Sequence, residues 1–397
     1  MSGRSIVSAL IQVLDDWHRV FDQGNEVCVV FFDVSKAFDT VPHLPLLQKL
    51  IEIGMDPYLI RWTRSYLAGR PQFVCVDGCD SCPLPVLSGI PHGSIPGPLL
   101  FICYINDVAT AISSDSDVNM LADNIALYRM IKTPADYTHL QSDINSICSC
   151  MQQKWLQFNL AKCKLMFITR KRANSLPPPP LYLSGTVLDR VCSYKYLGVT
   201  LTSDLSWSTH ISNCCNKTRR LIGLLYRRFY QCTNPPSLLR LYRSFIRPHL
   251  EYASIAWNPH YKGEIDALES VQKYALRMCL KSWDSNYAEL LAAANLPPLQ
   301  KRRIQLSLCH LYKIVNNLTD FPAAPVFPPD HFHKTRSSDK PTFIVPKFRT
   351  SAYQYSFFPN TLSLWSDLPK DIFVHSSFNS FKRSYCFTYN FLGTLCI

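Results

Sequence analysis

Apolar residues first gather into a block at Val27–Phe32, VCVVFF, with Gln23-Gly24-Asn25 just ahead of it. A short, β-branched run behind a turn signal predicts a buried strand rather than a helix. Upstream, Ile6, Leu10, Leu14, Trp17 and Phe21 recur at helical spacing and predict an amphipathic helix over 4–22. Downstream, Pro42 opens a helix that runs to about Ile53 and is closed by Gly54. A second helix is predicted over 57–68, followed by Gly69-Arg70-Pro71 and a hairpin through Val76 and Val86. Residues 87–98 are rich in Gly and Pro and read as an irregular loop, and an apolar helix follows from Leu99. The pattern then predicts a strand-like piece over 118–130, a long helix over 134–157 and a strand over Leu165–Ile168. The basic run Arg170-Lys171-Arg172 and the tract Pro177–Pro180 mark a loop or boundary. Paired strands over 181–201 lead into a helical pattern from Ser208 to about Asn317, and the tail from Phe321 is rich in Pro and aromatic residues. No internal repeat is present.

Two carboxylates break this pattern. Asp33 stands at the C-terminal end of the first apolar run, and Asp123 lies between Leu121-Ala122 and Ile125-Ala126-Leu127. A carboxylate among apolar neighbours is costly to bury unless a metal or a partner compensates it. Carboxylates on adjacent strands, holding divalent cations, are the expected arrangement. In the loop after Leu87, glycines such as Gly93 allow close backbone approach to a ligand, and the loop feeds a helix N-terminus, which favours phosphate.

Charge sharpens the picture. Residues 1–150 carry nine Lys and Arg against sixteen Asp and Glu, whereas 151–397 carry thirty-two against thirteen. An acidic half followed by a basic half suits a polyanion binder with its metal site in one half and its grip in the other. Lys and Arg between 154 and 313, interleaved with Trp155, Tyr226, Tyr230, Tyr242 and Trp257, are expected to line a nucleic-acid groove. Of the sixteen cysteines, only Cys75, Cys79 and Cys82 approach zinc spacing, and a fourth ligand is missing, so no zinc is expected. No signal-peptide pattern and no 18-residue apolar run occur, which predicts no membrane span. Free thiols fit a reducing, intracellular setting, in cytoplasm or nucleus.

The motifs together resemble the reverse transcriptase of non-LTR (LINE-type, jockey-like) retrotransposons. FFDVSKAFDTV is similar to that family's first catalytic motif, SGIPHGSIPGPLLFICYINDV to its second and MLADNIALY to its third. WLQFNLAKCKLMF resembles the fourth, and YKYLGVTL the hairpin that grips the primer end. RPHLEYASIAWNP and LESVQKYALRM resemble the thumb and C-terminal regions. The resemblance covers nearly the whole chain, with the motifs in order. It implies an α+β fold: a right-hand polymerase palm, with an antiparallel sheet packed on helices, then a helical thumb and a C-terminal region. The corresponding domains are 1–203 (palm with partial fingers), 204–320 (thumb or connection) and 321–397.

The implied activity is RNA-directed DNA polymerisation on an RNA template, from a DNA primer or RNA–DNA hybrid, with dNTPs. Two magnesium ions, or manganese in their place, would be held by Asp33 and Asp123, with the two carboxylates within roughly 4–7 Å of each other. The resemblance places Phe38 under the incoming sugar and Gly93 against the nucleotide. It makes Lys162 a proton donor to pyrophosphate, while Asp39 reads as structural. Two positions depart from the family pattern: His92 stands for a Gln that contacts the dNTP, and Asn124 for the second Asp of the third motif, on a tight hairpin. A truncated copy, without endonuclease and most of the fingers, is expected. The alternative is a catalytically impaired nucleic-acid-binding relic of the same fold.

Overall fold

The structure is a computed structural model that describes residues 5–113, 115–170, 178–232, 234–319, 321, 343–369 and 377–383. Part of the run Arg170-Lys171-Arg172, Pro177 of the proline tract, and most of the tail from Phe321 lie outside the described residues. The chain divides into two compact units, one of residues 25–194 and one of 1–24 with 195–397.

The unit 25–194 is built on a five-stranded sheet. Its order is Asp189–Arg190, Lys164–Ile168, Glu26–Asp33, Asn124–Ile131, Asp117–Leu121. Glu26–Asp33 is flanked by a strand on either side, antiparallel to both, and its six inner residues are buried. That double burial is why the sequence here is a continuous apolar run instead of an alternation. Alternate side chains still divide between faces. Cys28, Val30 and Phe32 join Ile125, Leu127, Leu165 and Phe167 in one core with the helices His43–Glu52, Pro96–Ile105 and Ala135–Gln153. This is a mainly antiparallel sheet with a helical layer, the α+β arrangement expected.

Three details differ from the apolar pattern. The piece 118–130, strand-like in its apolar pattern alone, is the tight hairpin that the resemblance implied, because Leu121 pairs with Asn124 and only Ala122 and Asp123 turn the chain. Ala122 takes a left-handed φ of +54°, which the alternation of apolar residues does not reveal. The apolar helix begins at Pro96, ahead of Leu99, since a proline is well placed in a first turn. Asp189–Arg190, expected within paired strands, instead extends the sheet by pairing in parallel with Lys164–Leu165. The segment after Gly69 does fold back on itself, with Pro71–Gln72 against Leu84–Pro85 and Cys75–Val76 against Cys79–Asp80. Cys75, Cys79 and Cys82 are exposed there.

The other unit is helical. Ser208–Phe229 packs on Lys262–Leu280, accompanied by Pro235–Leu241, Tyr287–Ala294 and Leu299–Val315. The helix Ile6–Asp22, which the sequence reading placed with the sheet, belongs to this unit. It packs on Ser351–Gln354 and Phe357–Ser366, and the Asp22 carboxylate accepts from the Arg349 and Thr350 N–H groups and from the Thr350 hydroxyl. Sequence periodicity could show that this helix has an apolar face but not which partner covers it. Tyr242 and Trp257, expected in a nucleic-acid groove, are fully buried. The Trp257 indole donates to the Tyr252 carbonyl at 2.8 Å and the Tyr242 hydroxyl bonds Gln272, so both are core residues with their polar tips satisfied. Trp155, Tyr226 and Tyr230 are exposed. Among the described residues no helix is long and apolar enough to cross a membrane.

Candidate functional site

The sheet sets the first two groups. Asp33 ends the central strand and pairs with Asn124 across the ladder, so Asp123, one residue earlier, projects from the hairpin turn beside it. The Asn124 side-chain amide donates to the Asp123 carboxylate at 3.1 Å. Burial pushes the Asp123 carboxyl above the usual range, and the charge of Asp33 pushes it further; Lys162 and the Asn124 amide pull the other way. Two carboxylates at the end of one antiparallel pair, with the Asn124 amide beside them, are a donor set suited to a hard divalent cation. Among the described residues no cluster of three or more His, Cys, Asp or Glu forms a closed metal cage.

The segment after the long helix supplies the cation. The helix ends at Gln153, Trp155 takes a left-handed φ of +57°, and the chain turns back along the end of the central strand. The Ser35 N–H donates to the Gln157 carbonyl at 2.8 Å, Val34 bridges Phe158, and the Asn159 N–H donates to the Asp33 carbonyl at 2.8 Å. These bonds bring Lys162 Nζ to 3.2 Å from Asp33 Oδ2. Behind it, the buried Cys163 thiol takes the Asp33 N–H at 3.4 Å. Sequence reasoning singled out Lys162 but not Cys163, whose only sign was its place between a polar loop and an apolar strand.

Phe38, His92 and Gly93 gather through a different set of backbone bonds. The Ile90 N–H donates to the Phe38 carbonyl at 2.7 Å and the Gly89 N–H to the Val41 carbonyl at 2.8 Å, tying the Gly-Pro loop to the segment after Asp33. Gly89 is required there: its φ is +92°, and a Cβ would stand 2.7 Å from the Asp39 carbonyl oxygen. The Phe38 ring stacks on buried Phe101 at 4.8 Å and meets the His92 ring at 5.2 Å. His92 Nε2 lies 3.0 Å from Asp39 Oδ1, so Asp39 orients the imidazole. Gly93 has a φ of +73° and open space where a side chain would be. A cavity of about 630 Å³ is lined by Lys36, Asp39, Arg70 and His92.

Tyr194 was not singled out. It stacks on Phe31 at 4.1 Å and 12°, and its hydroxyl is pushed up to about 12, chiefly by burial and then by the charge of Asp33. Its position in YKYLGVTL hinted at a role, but only the sheet shows which strand it touches.

A family described as "Reverse transcriptase (RNA-dependent DNA polymerase)" matches residues 1–201. The "Probable RNA-directed DNA polymerase from transposon X-element" of Drosophila melanogaster is 25% identical over 286 residues, which is 70% of this chain and 31% of that protein. The "RNA-directed DNA polymerase from mobile element jockey" of the same organism is 28% identical over 261 residues, 62% of this chain and 28% of its own. The chain thus spans less than a third of the length of these two curated relatives. The apo telomerase of Candida tropicalis is similar at 10% identity and a TM-score of 0.38, over 82% of this chain and 56% of that one.

Proposed function

The chain belongs to the reverse transcriptase (RNA-dependent DNA polymerase) family, and we propose that it is the RNA-directed DNA polymerase domain of a non-LTR retrotransposon. The observation that carries the reading is the meeting of Asp33, Asp123, Asn124 and Lys162 at the end of one antiparallel pair. When bound, two magnesium ions on Asp33 and Asp123 would lower the pKa of the primer 3′-OH and stabilise the leaving pyrophosphate. Phe38, held flat against Phe101, offers a rigid wall under the sugar of a dNTP and stands where a 2′-OH would have to fit. His92, oriented by Asp39, and the open backbone at Gly93 lie beside it for the nucleotide. Lys162 brings a movable ammonium to the carboxylate where phosphoryl charge would develop, a position suited to donating a proton to the leaving group. The helical residues 204–320 are assigned to a thumb that holds the RNA template and DNA primer, with 321–397 as a C-terminal region.

A second reading, a catalytically impaired relic, is favoured by one observation. Asn124 supplies an amide where a carboxylate would add charge, and that amide donates to Asp123, occupying one of its oxygens.

Extension of a DNA primer on an RNA template, with magnesium and dNTPs, separates the two. The polymerase reading expects primer extension that Asp33→Asn and Asp123→Asn each abolish. Extension unaffected by both changes would refute the site, and no extension with intact hybrid binding would favour the relic.

A further inference from the structure

The helix Pro57–Leu67 is held to its unit by a narrow contact. Of its eleven residues only Thr63 and Leu67 are buried, with Ile60 and Tyr66 partly buried against the core. The face left outside is unusual for a solvated helix. Tyr58 is 74% exposed and Trp62 53%, and Arg61 and Arg64 are exposed beside them. No Asp or Glu lies within the helix, and the carboxylate of the N-cap, Asp56, is engaged by the Tyr58 N–H at 2.7 Å. In the acidic stretch 1–150, three of only nine basic residues stand at positions 61, 64 and 70. A cluster of that kind, without counter-charges of its own, calls for an anion.

The aromatic rings and guanidinium groups are ordered into a track. The Trp62 and Tyr66 rings, one helical turn apart, stack at 5.2 Å with planes 7° from parallel. The Arg70 guanidinium lies over the Tyr66 ring at 5.3 Å, and that of Arg61 over the Tyr58 ring at 4.6 Å. Arg70 also lines the cavity that His92 and Asp39 line. The track therefore runs from the edge of that cavity outward along the helix, inside one compact unit.

We propose that Trp62, Tyr66 and Arg70, continued by Tyr58 and Arg61, form a stacking track for the unpaired RNA template strand next to the cavity beside His92. The inference rests on the polymerase reading, which requires an unpaired template ahead of the primer end. Aromatic faces accept any base and arginines meet the phosphates, so such a track binds single strands with little regard to sequence. A protein partner could cover Leu59 and Trp62, but only a polyanion also answers the exposed charges of Arg61, Arg64 and Arg70, which form no ion pair among the described residues.

The test uses the full chain and three labelled probes: a blunt RNA–DNA hybrid, the same hybrid with a 5′ RNA extension of about eight unpaired nucleotides, and that RNA alone. The extension is expected to tighten binding by about tenfold, the scale of one or two stacked bases. Trp62→Ala removes the gain, Trp62→Phe keeps most of it, and the blunt hybrid binds both variants like the parent. Circular dichroism confirms that the variants fold. An extension that adds nothing to the parent chain, or a gain that survives Trp62→Ala, overturns the proposal. So does a dimer in sedimentation that Trp62→Ala dissolves while RNA affinities stay unchanged, since the face would then belong to a second copy. If the blunt hybrid fails to bind while the RNA alone still binds and loses affinity on Trp62→Ala, the track stands and the polymerase reading is what fails.

Discussion

Lys162 Nζ lies 3.2 Å from the Asp33 carboxylate, the group that would receive a divalent cation. Lys162 is 65% exposed on its side chain, so the pair is screened and weak, and the ammonium must give way when a metal arrives. Lys162→Gln is therefore expected to tighten Mn²⁺ binding by up to about fivefold, the most an exposed pair is worth. If Lys162 is the proton donor, the same change slows extension by about a hundredfold. Electron paramagnetic resonance titration and single-turnover extension measure the two effects; unchanged Mn²⁺ affinity would show that the pair does not persist in solution.

Asn124→Asp tests whether a missing charge limits activity. The exchange keeps the volume, so the hairpin and its Leu121–Asn124 pairing should survive. It replaces the amide that donates to Asp123 with a second carboxylate. Without metal the two repel; with metal they add electrostatic stabilisation where phosphoryl charge develops. Extension is expected to rise by roughly tenfold or more, measured with the rest of the reaction unchanged. Extension by the parent chain at the rate of the Asn124→Asp variant would make Asn124 a competent ligand and dismiss the relic.

The raised proton affinity of Asp123 predicts a pH dependence of metal binding. Burial and the Asp33 charge favour the protonated form, so protons compete with the cation at pH values above the usual carboxylate range. Mn²⁺ affinity should fall as pH is lowered through that range, and in Asp123→Asn this dependence should flatten along with a general loss of affinity. A pH-independent affinity in the parent chain would contradict the assignment.

Asp15 gives a stability prediction with a definite sign. Its carboxyl is raised from 3.8 to about 7, chiefly by burial, despite Arg19 at 2.5 Å. Between those two values the folded chain binds a proton that the unfolded chain has lost, so stability falls as pH rises and the full penalty is present above about 7. Asp15→Asn should therefore gain on the parent as pH goes from 4 to 7 and then keep a constant lead. Denaturant midpoints across that range check this; a gap that narrows with rising pH would reverse the assignment.

Two glycines in the Gly-Pro loop should respond differently to alanine. At Gly89 a Cβ would meet the Asp39 carbonyl at 2.7 Å with φ at +92°, so Gly89→Ala is expected to cost about 3 kcal/mol. At Gly93 only the left-handed φ opposes alanine, which costs about 1 kcal/mol, and the larger effect should appear in dNTP KM. Thermal or urea unfolding of both variants, with dNTP kinetics of Gly93→Ala, distinguishes a packing glycine from a ligand-facing one.

Much of the fold was legible before any coordinates. The apolar run at Val27–Phe32, the helices opened by Pro42 and Pro57 and the order of the motifs reflect local forces: burial on both faces, fixed proline dihedrals and turn chemistry. Asp33 and Asp123 stood out because carboxylates at the ends of apolar segments demand compensation. Other things depend on which surfaces meet, and no window of sequence contains that. Periodicity gave Tyr242 and Trp257 an aromatic, basic neighbourhood, but packing made them core. The hairpin at Ala122–Asp123 was legible only through the motif resemblance, because a turn of two residues leaves the apolar pattern almost undisturbed. The residue types needed for the chemistry were written along the chain. Lys162 reaching Asp33 and Asp39 orienting His92 were decided by tertiary structure, since strand register and loop-to-strand hydrogen bonds alone determine which distant side chains share a few ångströms.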